Sequence, residues 1–309
     1  MRVVVALGGN ALSPNRGTGS VEEMRTALAG AAAALADLVA DGHSLVLTHG
    51  NGPQVGRLLL QQERAADVVP PMPMDVCGAL SQGQVGYLVA QALDNALRRR
   101  RLASRVLSLV TQVVVDGRDP AFRRPSKPVG PSYERPEAQG IAHVSGHVFA
   151  IQPDGRWRRV VASPRPLRFV EEGPLRALVD SGHVVVAAGG GGVPVVDHRG
   201  QLRGVEAVVD KDRTAALLTE AVDADALLVL TEVSRVQVGF GTPQSRALDT
   251  MTVAEATGWL AAGEFPEGSM GPKVEACVSV ARAGRQAAIG ALAEAAQVLA
   301  GTAGTRITP

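Results

Sequence analysis

Five short apolar runs constrain this chain more than any other feature: "RVVVAL" at 2–7, "SLVLT" at 44–48, "RVLSLV" at 105–110, "HVVVAA" at 183–188 and "DALLVLT" at 225–231. Each is apolar nearly throughout rather than alternating, the pattern of strands covered on both faces. Between them lie stretches with helical character, "VEEMRTALAGAAAALADLVADG", "GQVGYLVAQALDNALRRRR", "PLRALVDSG" and "KDRTAALLTEA". Ser20 and Glu23 form a capping-box pattern at the start of the first, and Gly42 and Gly182 stand where helix C-termini are expected. Alternation of this kind predicts an α/β fold, a three-layer α/β/α sandwich with a mainly parallel central sheet. A length of 309 residues suffices for one large domain or two lobes around a sizeable core.

One segment breaks the rhythm. Residues 116–166 carry Pro120, Pro125, Pro128, Pro131, Pro136, Pro164 and Pro166, too long a stretch for an ordinary connection. Tyr133, Phe149 and Trp157 give it the means to form a small fold, so it is expected to be an ordered protruding subdomain.

Composition narrows the function by exclusion. At 46% hydrophobic and 20% charged the chain is globular, and a net charge of +1 gives no electrostatic case for nucleic acid or an anionic membrane. No stretch of about 18 apolar residues escapes charge or glycine breaks. Cys77 and Cys277 have no CxxC spacing, which fits a reduced, cytoplasmic protein rather than a disulfide scaffold. "MRVVVALGGNAL" is read as a first strand rather than a signal peptide.

Three strands run straight into glycine: Gly8-Gly9-Asn10, Gly50-Asn51-Gly52 and Gly189 to Gly192. Such clusters serve tight turns, or they remove the Cβ so that backbone N–H groups approach an anion at the carboxyl edge of a sheet. Their recurrence favours a phosphate or carboxylate site. It is not a P-loop, because no Gly-Lys pair occurs. No G-x-G-x-x-G is completed, and the H-R-D and D-F-G signatures of protein kinases are absent.

The basic residues are equally selective. Of 31, only Lys127, Lys211 and Lys273 are lysine. The motifs "ALGGNAL" (6–12), "THGNGPQVG" (48–56), "MDVCGALSQGQVGY" (74–87), "DPAFRRPSKPVGPSY" (119–133), "GGGGVPV" (189–195), "GVEAVVDKDRTA" (204–215) and "GSMGPKVEA" (268–276) resemble, in that order and nearly end to end, those of carbamate kinase in the amino acid kinase superfamily. The "DPAF…KPVGP" segment separates carbamate kinases from acetylglutamate, aspartate and uridylate kinases. Those relatives generally place a lysine before the first glycine pair, where this chain has Ala6.

The resemblance implies an amino acid kinase fold and phosphoryl transfer between ATP and carbamate, giving ADP and carbamoyl phosphate. It implies catalytic roles for Lys127, Lys211, Lys273 and Asp212. Substrate contacts fall on Gly8, Gly9, Asn10, Gly50, Asn51 and Gly52. Nucleotide contacts fall on Asp210, Lys211, Ser269, Met270 and Lys273. By it, residues 1–190, with the 116–166 subdomain, hold carbamate or carbamoyl phosphate, and 191–309 hold the nucleotide. MgATP or MgADP brings its magnesium mainly on its own phosphates, and no metal ligands are assigned. The family implies a homodimer working toward ATP in arginine catabolism. A compact ammonium follows a moving phosphoryl group where a planar guanidinium prefers fixed bidentate geometry, a physical reason to retain lysine at three points.

Other residues admit plainer readings. Asp210 is a site residue or an N-cap for a helix opening at Lys211. His49 is read as structural, since carbamate is already an anion and needs no general base. His143 and His147 lack the partners of a zinc site. "RRRR" at 98–101 is a solvated helix end. Glu232, Ser234 and Gln237 replace the Asp, Asp and Tyr usual in the family near the base and ribose, removing a stacking surface. Two other phosphate-site functions stay open, a sister kinase of another small acid and a non-catalytic sensor. A dinucleotide oxidoreductase would share the architecture but lacks the fingerprint.

Overall fold

The computed structural model describes residues 1–9, 19–266 and 268–309. Asn10, one of the expected substrate residues, lies outside them. Eight strands form one sheet in the order Thr250–Thr252, Thr305–Thr308, Gln286–Ala291, Ala226–Thr231, Arg2–Leu7, Ser44–His49, Val184–Val186 and Val106–Ser108. Every neighbouring pair is parallel except Gln286–Ala291 with Thr305–Thr308. The sheet is therefore mainly parallel, as expected.

The apolar runs are continuous because both faces are covered. Val4, Ala6, Val46, Leu227 and Val229 pack on one side with Leu175, Leu218, Val274 and Cys277. Val3, Val5, Leu7, Leu45 and Leu228 pack on the other with Met24, Leu28, Leu35, Val85 and Leu93. The first group brings in helices Glu172–Asp180, Lys211–Ala221 and Met270–Arg282, the second Val21–Ala40 and Met74–Arg99. This is the three-layer arrangement. The capping box of Ser20 and Glu23 opens Val21–Ala40, and Gly42 and Gly182 take positive φ just beyond helix ends.

One expected strand shortens, and one strand had not been expected. "RVLSLV" shortens to Val106–Ser108 at the sheet edge, and just beyond the run Gln82 takes both the N–H and the carbonyl of Thr111. "QAAIGA", Gln286–Ala291, is a strand that its alanine and glycine content hides. Its Gly290 lies against Val298 and Gly304 with no room for a Cβ.

Residues 116–166 contain a separate three-stranded sheet of Lys127–Tyr133, Trp157–Val161 and Phe149–Ile151, with helix Arg135–Ser145. Tyr133 and Phe149 meet edge to face at 5.8 Å, and Tyr133 pairs with Trp157 across the strands. The chain leaves and returns through two adjacent antiparallel strands, Gln112–Val115 and Pro166–Phe169, of a four-stranded sheet. An ion pair of Arg159 with Glu206 and a bridge of Ala162 with Ala207 tie the small sheet to the segment leading to Asp210.

The glycine clusters divide by purpose. Gly189, Gly190 and Gly191 press on the His49 ring, the Asn51 side chain and the Val209 carbonyl oxygen, and Gly190 and Gly191 also have positive φ. Close packing and backbone conformation both call for glycine here, and Gly190 also lines the cavity of the candidate active site. A Cβ at Gly9 or Gly52 meets nothing, so those two are not glycine for packing reasons. Gly191→Ala is expected to lose roughly 2–4 kcal/mol of stability by urea unfolding, from left-handed backbone strain plus overlap with Val209. Gly30→Ala, in an exposed helical stretch with open space, is expected to gain ~0.5–1 kcal/mol in the same measurement.

Candidate active site

Strand Arg2–Leu7 lies between Ser44–His49, which leads to the rest of the N-terminal half of the sheet, and Ala226–Thr231, which leads to the C-terminal half. Strand order reverses there, and in open α/β sheets ligands bind outside the carboxyl ends at such a point. A cavity of about 290 Å³ opens at this place. Gly9, Gly50, Asn51, Gly52, Lys127, Asp210, Lys211, Asp212, Ser269 and Lys273 all line it. Of the other residues expected here, Gly8 gives its N–H to the Leu230 carbonyl at 2.9 Å and does not face the cavity. Met270 packs against the core instead.

Three helices start at the cavity wall. Gly52–Arg64 and Met270–Arg282 begin after Asn51 and Ser269, neither of which caps with its side chain. Their first backbone N–H groups and dipoles suit an anion. The Asn51 amide is held instead by Ser81, to whose Oγ it donates at 2.6 Å. Lys211–Ala221 differs, because Asp210 Oδ1 accepts from the N–H groups of Asp212 and Arg213. Its Oδ2 accepts from Lys127 Nζ at 2.8 Å. Asp210 is thus N-cap and ion-pair partner at once, through different oxygens.

Asp212 joins the other two lysines. Lys211 Nζ donates to Oδ1 at 2.6 Å and Lys273 Nζ to Oδ2 at 2.9 Å, so one carboxylate clasps the starts of two helices. Only 5% of the Asp212 side chain is exposed, against 14% for Lys211 and 13% for Lys273. Burial alone would push this carboxyl up, but the two ammonium groups together outweigh it and hold it below the usual carboxylate range. Burial pulls the Lys211 ammonium below its ordinary value, with the attraction of Asp212 opposing and the neighbouring Lys273 adding to the fall. Lys127 is more open, at 33%, and arrives from the small sheet.

The cavity also holds a cation that sequence reasoning missed, Arg158. Nothing distinguished it among 28 arginines, and its neighbours in "RWRRVV" belong to no motif. Gln237 lies in a two-stranded ribbon with Arg246–Ala247, exposed, and its Oε1 accepts from Ser245. His49 is buried beneath the cavity with Nδ1 on the Gly50 carbonyl oxygen at 3.0 Å. Burial lowers its pKa to about 4.

The chain resembles known proteins along its whole length. Residues 1–290 match the model of the amino acid kinase family. A carbamate kinase of Pyrococcus horikoshii is 44% identical, with 100% of this chain and 99% of that one aligned. A carbamate kinase from Giardia lamblia bound to AMP-PNP superposes with a TM-score of 0.93 at 39% identity, over 99% of this chain and 98% of that one. A solved structure from Aeropyrum pernix K1 reaches a TM-score of 0.95 at 44% identity, over 100% and 99%.

His49 gives a sign-definite pH test. The unfolded imidazole takes its proton near pH 6.5 and the folded one only near 4, so the unfolded state binds more protons between those values. Stability is full above pH 6.5 and falls as the pH drops toward 4, by about 3 kcal/mol from this group. His49→Gln is expected to remove that part of the acid loss, read as the difference between the two proteins' urea midpoints across the window. Parallel pH profiles would show that His49 does not titrate this way. The reversed strand order, the glycine turns, the clasped lysines and the full-length likeness agree: this chain belongs to the amino acid kinase family and groups with the carbamate kinases within it.

Proposed function

We infer that the chain is a carbamate kinase, transferring a phosphoryl group between ATP and carbamate to give ADP and carbamoyl phosphate. The observation that supports this most is the convergence of its only three lysines on one cavity walled by backbone glycine and open helix N-termini. An oxygen of carbamate attacks the γ-phosphorus in line, that O–P bond forms, and the bond to the β-phosphate oxygen breaks to release ADP. Charge spreads over three equatorial oxygens in the transition state, and positioned cations meet it there. Gly9, Gly50 and Gly52 approach the carbamate side without a Cβ, and Ser269 and Lys273 serve the nucleotide phosphates.

No proton has to be removed from carbamate, which agrees with a buried, neutral His49. Asp210 and Asp212 are both engaged by lysines, so magnesium would be held mainly by the nucleotide phosphates and water. In this reading residues 1–190 handle the carbamate side and 191–309 the nucleotide. The protein works as a cytoplasmic homodimer, forming ATP in catabolism. Its two cysteines are buried and free, and among the described residues no helix is long and apolar enough to cross a membrane.

The test is ATP formation from ADP and carbamoyl phosphate, with Lys127→Arg, Lys211→Arg and Lys273→Arg beside the parent protein. Each charge-conserving change is expected to lower kcat by at least roughly tenfold, about 1.4 kcal/mol of barrier, while circular dichroism stays native. Near-parental turnover in all three variants would overturn the role given to the lysines.

A further inference from the structure

We propose that Arg158 is a second substrate-binding cation supplied by the small sheet, holding the carbamoyl end of the substrate while the lysines hold phosphoryl oxygens. The proposal rests on the phosphotransfer reading above and extends it to a residue outside every motif. Arg158 lines the same cavity as Lys127, Gly52 and Pro53. Its Nε and Nη2 donate to the Gly130 carbonyl oxygen at 3.2 and 2.8 Å. A guanidinium has five N–H donors, so both hydrogens of Nη1 and one of Nη2 remain uncommitted. Among the described residues it makes no ion pair, whereas each of the three lysines in this cavity has a carboxylate. Burial draws its pKa below the ordinary arginine value, with Asp154 opposing.

Its anchorage is specific. Gly130 has φ +70°, at a register shift between Val129 and Ser132 where the strand bulges beside Arg158. A Cβ at Gly56 would stand 3.3 Å from the Gly130 Cα, so this bulge rests on the helix that opens at Gly52. The guanidinium is therefore oriented before any ligand arrives and sits on the wall built by that helix. Its chemistry complements the lysines. Carbamate and the carbamoyl group are planar with oxygens in one plane, which a flat fork of donors matches, while a tetrahedral phosphoryl group is met as well by point charges.

The experiment compares Arg158→Lys, which keeps charge without the fork, and Arg158→Gln, which keeps an N–H for Gly130 without charge. In ATP formation, KM for carbamoyl phosphate is expected to rise about tenfold or more in both, with KM for ADP within about twofold of the parent. An unchanged KM for carbamoyl phosphate, or equal rises for both substrates, would overturn the proposal, the latter pointing to a structural role only. Should Arg158→Gln not fold, Arg158→Lys carries the same comparison. Calorimetric titration with carbamoyl phosphate separates this proposal from the reading beneath it. A parent that binds without turnover, and loses about tenfold in affinity in the variants, keeps Arg158 and discards the kinase activity. Binding that the variants leave intact discards Arg158, and a parent that does not bind discards both.

Discussion

One carboxylate with two ammonium groups governs the geometry of the cavity. Asp212 is buried at the start of one helix and accepts from lysines that open two different helices. Taking three charges out of water is costly unless each finds its partner, and removing one partner from such a group typically costs about 3–5 kcal/mol. Helices Lys211–Ala221 and Met270–Arg282 are therefore locked in one relation, because any shift between them would strand a buried charge. The rest of the sandwich supplies the rigid body on which that lock is mounted.

The third lysine is held on different terms. Lys127 reaches Asp210 from the small sheet and keeps a third of its side chain exposed, whereas the Asp210 side chain is mostly buried, at 11%. Of the three lysines it is the most open, so in the phosphotransfer reading it is the one an arriving phosphoryl group reaches most readily. Asp210 keeps its capping bonds through its other oxygen, so the helix does not lose its N-cap when Lys127 moves. Two of the lysines are buried and one is more open, and the open one belongs to the part of the chain joined to the body by two strands.

Much of this was legible before any coordinates. Apolar runs buried on both faces gave the central strands, and Ser20, Gly42 and Gly182 marked helix ends through local chemistry that tertiary packing did not override. The lysines stood out because arginine is used everywhere else. Legibility failed where a residue's reason is non-local. Gln286–Ala291 is a strand because of what surrounds it, and alanine carries no pattern of its own. The run from Gly189 to Gly192 resembled the other clusters in sequence, and its Gly190 does line the cavity, but Gly189 and Gly191 also answer to the His49 ring and the Val209 carbonyl oxygen, contacts that no local pattern announces. Gly8 and Met270 belong to site motifs but turn to the sheet and the core.

Arg158 shows the same limit from the other side. A lysine in this chain is informative because it is rare, whereas one arginine among 28 is not, although both can be cations at the same cavity. What separates Arg158 from surface arginines is the company it keeps. Arg98 and Arg100, in the basic run at the end of helix Met74–Arg99, pair with Asp94 and Asp37 at the surface. Arg158 is anchored by a carbonyl oxygen, which orients a guanidinium without neutralising it. A neutral acceptor at the back and uncommitted donors at the front leave the charge available to the cavity, and that asymmetry exists only once the strand bulges at Gly130.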